Sequence, residues 1–239
     1  EASRPEMTGA AAYWGESDPS RDDLQPSFPD VDLVLTTREC ARLLKMAGLD
    51  LNDMPEEAAD SLLGAYTGAA PIFGRTGGVM EAALRTAVTL LSGAPPSPLE
   101  FDDLGTPDGI KRAELRVADR TVKVAVAHGL ANARKVCESV LSGGEFAGYH
   151  FIEVMTCPGG CIGGGGQPIP TNDTTRRART SGLNRDDREV CALRMSHENP
   201  EIQALYSDFF GKPLGHLSHR ILHTHYTPRP VNATAESRP

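Results

Sequence analysis

The chain has 239 residues, of which 39% are hydrophobic and 23% are charged, and its formal net charge is −8. This length can enclose a hydrophobic core without disulfides. An acidic chain without a polybasic stretch is not typical of nucleic-acid binding, and no apolar run approaches the roughly 20 residues that cross a bilayer. We therefore expect a globular protein that binds neither nucleic acid nor membrane.

The start of the chain and its cysteines indicate where the sequence lies in a longer protein and in which compartment that protein is found. Glu1 is the first residue, and residues 1–30 are polar, so we expect a lead-in to a domain whose N-terminal portion is missing. Five cysteines, odd in number and unevenly spaced, disfavour a secreted disulfide framework. A reducing cytoplasm is the predicted compartment.

Strand and helix patterns follow one another after this lead-in. The apolar, β-branched run at residues 31–37 predicts a strand, and apolar residues at helical spacing predict a helix that closes at Gly48. A second helix is predicted from about Gly78, after a glycine-rich start, and Pro95 lies just beyond its end.

The middle of the chain predicts a hairpin and a parallel connection. Residues 111–129 alternate on either side of "ADR", which is typical of a hairpin. Its second strand leads into a helix over Leu130 to Leu141, and residues 149–155 form the next strand. The fold class is therefore α/β, a mixed or parallel sheet flanked by helices, and such sheets bind ligands at the carboxyl ends of their strands.

The C-terminal part is polar and predicts helices and turns. Asn199 is an expected N-cap, with Pro200 at the first helical position and Gly211 beyond the end. We predict a mainly helical wrap over residues 196–228, including a short terminal helix, and a disordered tail over residues 229–239.

The segment "CPGGCIGGGGQP", residues 157–168, places two cysteines four apart among six glycines. Thiolates bind zinc, copper(I) or iron–sulfur clusters, and glycines let backbone N–H groups approach sulfur. The spacing alone also fits two buried small residues in a glycine turn. A phosphate-binding loop is a third interpretation, but no Gly-Lys-Ser/Thr follows and prolines end the glycine run.

Residues 151–168, "FIEVMTCPGGCIGGGGQP", closely resemble the third signature of the iron-only (FeFe) hydrogenases. Other stretches agree in the same order, including "IFGRTGGVMEAALRTAV" at residues 72–88 and "VKVAVAHGLANARKV" at residues 122–136. The resemblance implies that residues 31–195 are the C-terminal part of a catalytic domain and that residues 196–228 are a small-subunit-like wrap.

This resemblance implies the H-cluster, in which a 4Fe-4S cubane is joined through a cysteine sulfur to a two-iron unit, and reversible reduction of protons to H₂. By motif position, Cys157 is expected to bind the cubane, and Cys161 to bind the cubane and bridge to the two-iron unit. Met155 and Phe73 are expected to line the pocket of that unit.

The family pattern also implies an incomplete ligand set in this chain. Two further cubane cysteines are expected upstream of Glu1, so we expect the fragment to be inactive alone. Glu153, Thr156 and Gln167 are expected in the supporting shell. The other cysteines lie in or near predicted helices and do not replace the missing ligands; they are Cys40, Cys137 and Cys191.

Other functions and sites compete with this interpretation. A non-catalytic relative, either an iron–sulfur assembly factor or an H₂ sensor, is the main alternative, and a metal-free α/β binding domain is weaker. His219 and His223 have the spacing of a zinc pair, but no glutamate lies between them as in H-E-x-x-H. His128 and His150 are expected to be structural. The expected electron partners are ferredoxin or nicotinamide-linked subunits.

Overall fold

The structure, a computed structural model, describes residues 33–57, 65–94, 109–117 and 120–222. These residues belong to two units, which are described separately. Residues 36–203 make the first unit, and the described residues of the second are 33–35 and 204–222. Within the described ranges, no helix has both the length and the apolar character needed to cross a membrane.

Six α-helices lie in the described ranges. They are α1 (Thr37–Met46), α2 (Gly78–Ser92), α3 (Leu130–Leu141), α4 (Asp173–Arg185), α5 (Pro200–Leu205) and α6 (His216–Leu222). A turn of π-helix directly follows α4 at Asp186–Val190, and another follows α5 at Tyr206–Phe210.

The first unit is organised around a three-stranded mixed sheet. β1 (Ile110–Val117) pairs antiparallel with β2 (Arg120–His128), and β2 pairs in parallel with β3 (Phe151–Met155). The strand order is β1-β2-β3, and α3 connects the parallel pair. The predicted hairpin, the helix between β2 and β3 and the mixed sheet are confirmed.

The core lies on both faces of the central strand. Val126 packs in a buried cluster with Met80 of α2, and the neighbouring Ala127 packs in a second cluster with Val136 of α3. Successive strand residues point to opposite faces, so the run of four apolar residues at positions 124–127 of β2 is buried on both sides. The sheet is therefore a middle layer between α2 and α3.

The strand predicted at residues 31–37 is wrong over the part that is described. Residues 33–36 have no regular structure, and α1 begins at Thr37. The Thr36 hydroxyl accepts from the Glu39 N–H at 3.3 Å, while the Glu39 carboxylate accepts from the Thr36 N–H at 2.8 Å. This capping box starts a helix where apolar, β-branched residues had favoured a strand.

The predicted C-terminal helices are confirmed, with one change. The helix that starts at Pro200 passes into a π-turn before it ends at Gly211, whose φ is +82°. A short helix, α6, follows as predicted. The lead-in at residues 1–30 and the tail at residues 229–239 lie outside the described residues.

Candidate metal centre

The candidate site lies at the carboxyl ends of β2 and β3. His128 and Met155 are register partners at these ends, and the Gly129 N–H donates to the Met155 carbonyl at 2.8 Å. Residues 156–170, here called the cysteine loop, leave β3 at this point. The Gly159 N–H donates to His128 Nδ1 at 3.3 Å. The loop therefore starts where parallel sheets commonly bind ligands.

Backbone turns shape the cysteine loop around its two thiols. The Cys157 carbonyl accepts from the Gly160 N–H at 2.9 Å, and the Cys161 carbonyl accepts from the Gly164 N–H at 3.0 Å. Both thiols are free; Cys161 is exposed and Cys157 is half-buried. The two turns thus leave both sulfur atoms unpaired and reachable.

Two glycines of this loop are required by close backbone approach. A Cβ on Gly160, whose φ is +90°, would lie 2.7 Å from the Thr76 nitrogen, and a Cβ on Gly163 would lie 1.9 Å from the Pro158 carbonyl oxygen. Only glycine fits such contacts without displacing the chain. A Cβ on Gly164 would lie 3.7 Å from the Cys157 sulfur. The surface beside that thiol is therefore bare backbone.

The segment before α2, residues 71–77, lies against the cysteine loop and forms the other side of the candidate site. The Thr76 N–H donates to the Gly159 carbonyl at 2.9 Å. Thr76 is only 3% exposed, and its hydroxyl has no hydrogen-bond partner among the described residues. Phe73, in the short turn Pro71–Gly74, is 46% exposed, and a Cβ on the adjacent Gly74 would lie 3.8 Å from Ile162. The turn that carries Phe73 therefore contacts the cysteine loop.

Glu153 of β3 connects the sheet to the start of α2. Its buried carboxylate accepts from the Gly77 N–H at 2.6 Å and from the Met80 N–H at 2.7 Å. Burial raises the pKa of Glu153, and the two N–H donors and Arg75 oppose that rise only in part. A carboxylate at a helix N-terminus also interacts favourably with the helix dipole.

His128 accepts a backbone hydrogen bond at this site. Burial lowers its pKa, and the positive charges of Lys111 and Arg176 lower it further. Its Nδ1 can therefore accept the Gly159 N–H in the neutral ring. His150 plays a similar part further from the loop, where its Nδ1 accepts from the Lys123 N–H at 3.0 Å.

A helix beyond the loop contributes an arginine contact. Arg179 of α4 donates from Nη1 to the Ile162 carbonyl at 2.6 Å and from Nη2 to the Pro168 carbonyl at 2.7 Å. These two carbonyls stand on either side of the four consecutive glycines. The loop and α4 are thus joined at two points.

A group of five charged residues, here called the ion network, lies next to this region; four of them are buried, and the side chain of Arg194 is 43% exposed. Glu81 pairs with both Arg75 and Arg85, and Asp187 pairs with Arg85 and with Arg194, each at 2.7 Å. Burial raises the pKa of Asp187, but hydrogen bonds and charges from the two arginines outweigh this and hold the pKa below its ordinary value. The network ties α2 to the π-turn after α4.

The donor chemistry of the cysteine loop fits an iron–sulfur group, although only in part. The loop holds two free thiols, of which that of Cys157 lies beside the backbone of Gly164, and the buried Thr76, whose hydroxyl has no partner among the described residues, bonds to the same loop through its N–H. A cubane takes four thiolates. No set of three or more His, Cys, Asp or Glu side chains is arranged to hold a metal within the described ranges.

The other cysteines belong to other elements of the first unit, and the C-terminal histidines belong to a different part of the chain. Cys40 is in α1, Cys137 is in α3, and Cys191 directly follows a π-turn. His216 and His219 belong to the second unit. His223 and His225 lie outside the described residues.

The sequence did not predict three features of the site: the buried Thr76 hydroxyl, the carboxylate contacts of Glu153 and the Arg179 contacts. No sequence pattern indicated a role for Thr76, apart from the glycines on its C-terminal side. Arg179 had a weak signal, since the arginine-rich segment "RRAR" follows the glycine loop within about ten residues. Its contact joins residues 11 and 17 positions apart, and no sequence pattern specified that geometry.

A glycine-rich loop that holds two free thiols, at the carboxyl ends of two parallel strands, is typical of an iron–sulfur protein. The family comparison makes this specific. Residues 3–165 match the model of the iron only hydrogenase large subunit, C-terminal domain, and residues 173–229 match that of the iron hydrogenase small subunit. The chain belongs to the iron-only hydrogenase large-subunit family.

Relatives and solved structures agree with this assignment. NADP-reducing hydrogenase subunit HndD of Solidesulfovibrio fructosivorans is 51% identical over 84% of this chain and 34% of its own length. Iron hydrogenase 1 of Clostridium pasteurianum is 40% identical over 82% of this chain and 35% of its own length. The chain therefore spans about a third of these curated relatives.

A variant of FeFe-hydrogenase HydA1 from Chlamydomonas reinhardtii matches with a TM-score of 0.72 and 36% identity, covering 93% of this chain and 61% of that one. More distant relatives include Protein NAR1 of Arabidopsis thaliana, 28% identical over 92% of this chain and 47% of that protein. Cytosolic iron-sulfur assembly component 3 of Mus musculus is 30% identical over 82% of this chain and 41% of that protein.

Proposed function

We propose that this chain is part of an FeFe hydrogenase catalytic subunit and supplies two of the four thiolates of a 4Fe-4S cubane. The observation that carries the proposal is the cysteine loop, where the free thiols of Cys157 and Cys161 share one glycine-lined turn system. Cys161 would also bridge to a two-iron unit, which is the inference from its place in the family motif.

When bound, the H-cluster would supply the reversible reduction of protons to H₂. The protein residues position and insulate it. The Thr76 hydroxyl is buried beside the loop and is available to donate a hydrogen bond to a thiolate or a cluster sulfur. Such donors raise the potential of an iron–sulfur cluster. Met155 and Phe73 are proposed as pocket residues, and Glu153 as the residue that holds the wall formed by the start of α2.

Electron carriers and location are part of the same proposal. The name of the relative HndD associates that protein with NADP reduction, which supports a nicotinamide-linked partner, and ferredoxin is the other candidate. A cytoplasmic location is inferred from the resemblance of the terminal segment to the single-chain hydrogenases.

A second candidate function is iron–sulfur assembly without a two-iron unit. The matches to NAR1 and to the mouse assembly component, which cover 82% or more of this chain, favour it. Identity of 40% and 51% to named hydrogenases, against 28% and 30% to the assembly factors, favours the hydrogenase.

The test is infrared and EPR spectroscopy of the chain produced with its native flanking sequence in a host that carries the hydrogenase maturation enzymes. We expect carbonyl and cyanide bands together with a cubane signal. A cubane signal without those bands would instead support the assembly factor. Absence of any iron signal would overturn both functions.

Single cysteine variants test the residue assignment. Cys161→Ser should lose the carbonyl and cyanide bands, and Cys157→Ser should lose cubane iron, because each removes a thiolate ligand. Cys137→Ser is the matched control, since Cys137 is an exposed thiol on α3, and it should retain the full iron content. Full iron retention in Cys161→Ser would contradict the assignment.

A further inference from the structure

Arg179 fastens the cysteine loop from outside. Its guanidinium donates to the carbonyls of Ile162 and Pro168 at 2.6 and 2.7 Å. The planar fork of an arginine can bond two carbonyls at once, whereas a lysine ammonium cannot reproduce that fork. The stretch between these carbonyls, Gly163–Gln167, is therefore closed into a loop of fixed width.

Apart from Arg179, the glycine stretch is held by backbone contacts and by close packing of Gly163 against Pro158 and of Gly166 against Thr36. A Cβ on Gly165 would meet no atom within 4 Å, so no side chain packs there. The Gly166 carbonyl accepts from the Arg38 N–H at 3.1 Å, which is a single backbone contact. Within the loop, the Gln167 N–H donates to the Gly164 carbonyl at 3.0 Å. Glycine-rich backbone has high conformational entropy, so an external contact has a large ordering effect.

The helix that carries Arg179 is itself anchored. Asn172 caps α4 by accepting from the Thr175 N–H at 2.9 Å. At the other end, the Asn184 side chain accepts from Arg75 Nε at 2.7 Å, in a buried contact with the ion network. The guanidinium of Arg179 is thus presented from a fixed support.

We propose that Arg179 is a positioning residue for the cluster. It sets the shape of the loop around Cys161, and its positive charge raises the midpoint potential of a cluster bound there. The region that matches the small-subunit model thereby completes a site whose thiols lie in the large-subunit region. The effect on loop shape stands on the described contacts alone, and only the effect on potential rests on the proposed function.

The first test is amide hydrogen exchange in the complete chain without added cluster. Arg179→Gln should raise exchange of the 163–167 amides by about tenfold or more, because two hydrogen bonds from a charged donor are lost. Arg177→Gln is the matched control, since Arg177 is an exposed neighbour on the same helix, and it should leave that exchange unchanged. Equal exchange in both variants would overturn the positioning role.

The second test separates charge from fork geometry by EPR redox titration of the cluster-loaded protein. Arg179→Gln should move the cluster potential to a more negative value, whereas Arg179→Lys should keep the potential but retain the faster exchange. An unchanged potential in Arg179→Gln would overturn the charge effect. If Arg179→Gln fails to fold by circular dichroism, the exchange pattern of Arg179→Lys decides. If no cluster binds even when the chain is produced with its native flanking sequence, the proposed function fails while the exchange test still decides the positioning role.

Discussion

The ion network and the cysteine loop are neighbours that are held in opposite ways. Network side chains pair with one another, and four of the five residues are 6% exposed or less. The cysteine loop is held by backbone turns and by Arg179, and its thiols are partly or fully open to solvent. We infer that the two regions have different roles. The ion network stabilises the fold, whereas the cysteine loop leaves its thiols accessible to a ligand.

The largest expected effect is the loss of stability when the ion network is disrupted. Asp187→Asn should destabilise the chain by about 3–5 kcal/mol, because it leaves the buried Arg75 and Arg85 with one carboxylate, Glu81, between them. Asp173→Asn is the control, since the Asp173 side chain is 77% exposed in its pair with Arg176, and should cost less than about 1 kcal/mol. Urea unfolding measures both free energies. Similar losses of stability in the two variants would contradict the special role of the buried ion network.

A smaller effect is expected inside the loop. Gly163→Ala should cost about 1–3 kcal/mol because the added methyl group overlaps the Pro158 carbonyl, and iron retention should fall with it. Gly165→Ala places its methyl group in open space and should stay within about 0.5 kcal/mol of the parent. Unfolding and iron analysis of the pair check this. Loss of iron in Gly165→Ala alone would contradict the proposed loop geometry.

Glu153 connects β3, which leads into the cysteine loop, to the start of α2, and its replacement should have a smaller effect. Glu153→Gln replaces one accepting oxygen by an amide NH₂, so one N–H at the start of α2 loses its partner, at a cost of about 1–2 kcal/mol. Glu138→Gln, on the exposed face of α3, is the control and should be near neutral. A near-neutral Glu153→Gln would show that the carboxylate does not hold α2.

The smallest effect is an opposite pH dependence of the two carboxylates. The pKa of Asp187 is lowered in the fold, so its stabilising contribution is present above about pH 4 and is lost as the pH falls through the folded value. The pKa of Glu153 is raised, so its contribution is present below about pH 4 and is lost as the pH rises through the folded value.

Urea unfolding across pH 3 to 7 measures this dependence. Relative to the parent, Asp187→Asn should flatten the acid limb of the stability curve, and Glu153→Gln should flatten the limb above it. The same change in both variants would mean that one of the two pKa directions is wrong.

Much of the fold could be predicted because its signals are local. The hairpin around "ADR" and the helix from Leu130 to Leu141 follow from alternation and helical spacing within short windows. The strand predicted at residues 31–37 is wrong over its described part, because the Thr36 and Glu39 capping box starts a helix at Thr37 and residues 33–36 have no regular structure. That signal was also local and could have been used.

The site was only partly predictable for a different reason. The roles of Cys157 and Cys161 are predictions from a motif that lies in one stretch of sequence. The ion network joins Arg85 to Asp187, 102 positions apart, and the Glu153 carboxylate reaches donors 73 and 76 positions away. Such contacts depend on the folded topology, and one sequence has no local pattern that specifies them.

The two hydrogen bonds of Arg179 have a consequence for how such a protein could be divided. The match to the large-subunit model ends at residue 165, after both cysteines, and the match to the small-subunit model begins at residue 173, where α4 starts. If the chain were cut there, the same bonds would have to form between two molecules, and closure of the loop would depend on subunit concentration. A single polypeptide keeps the arginine beside its carbonyls at any dilution.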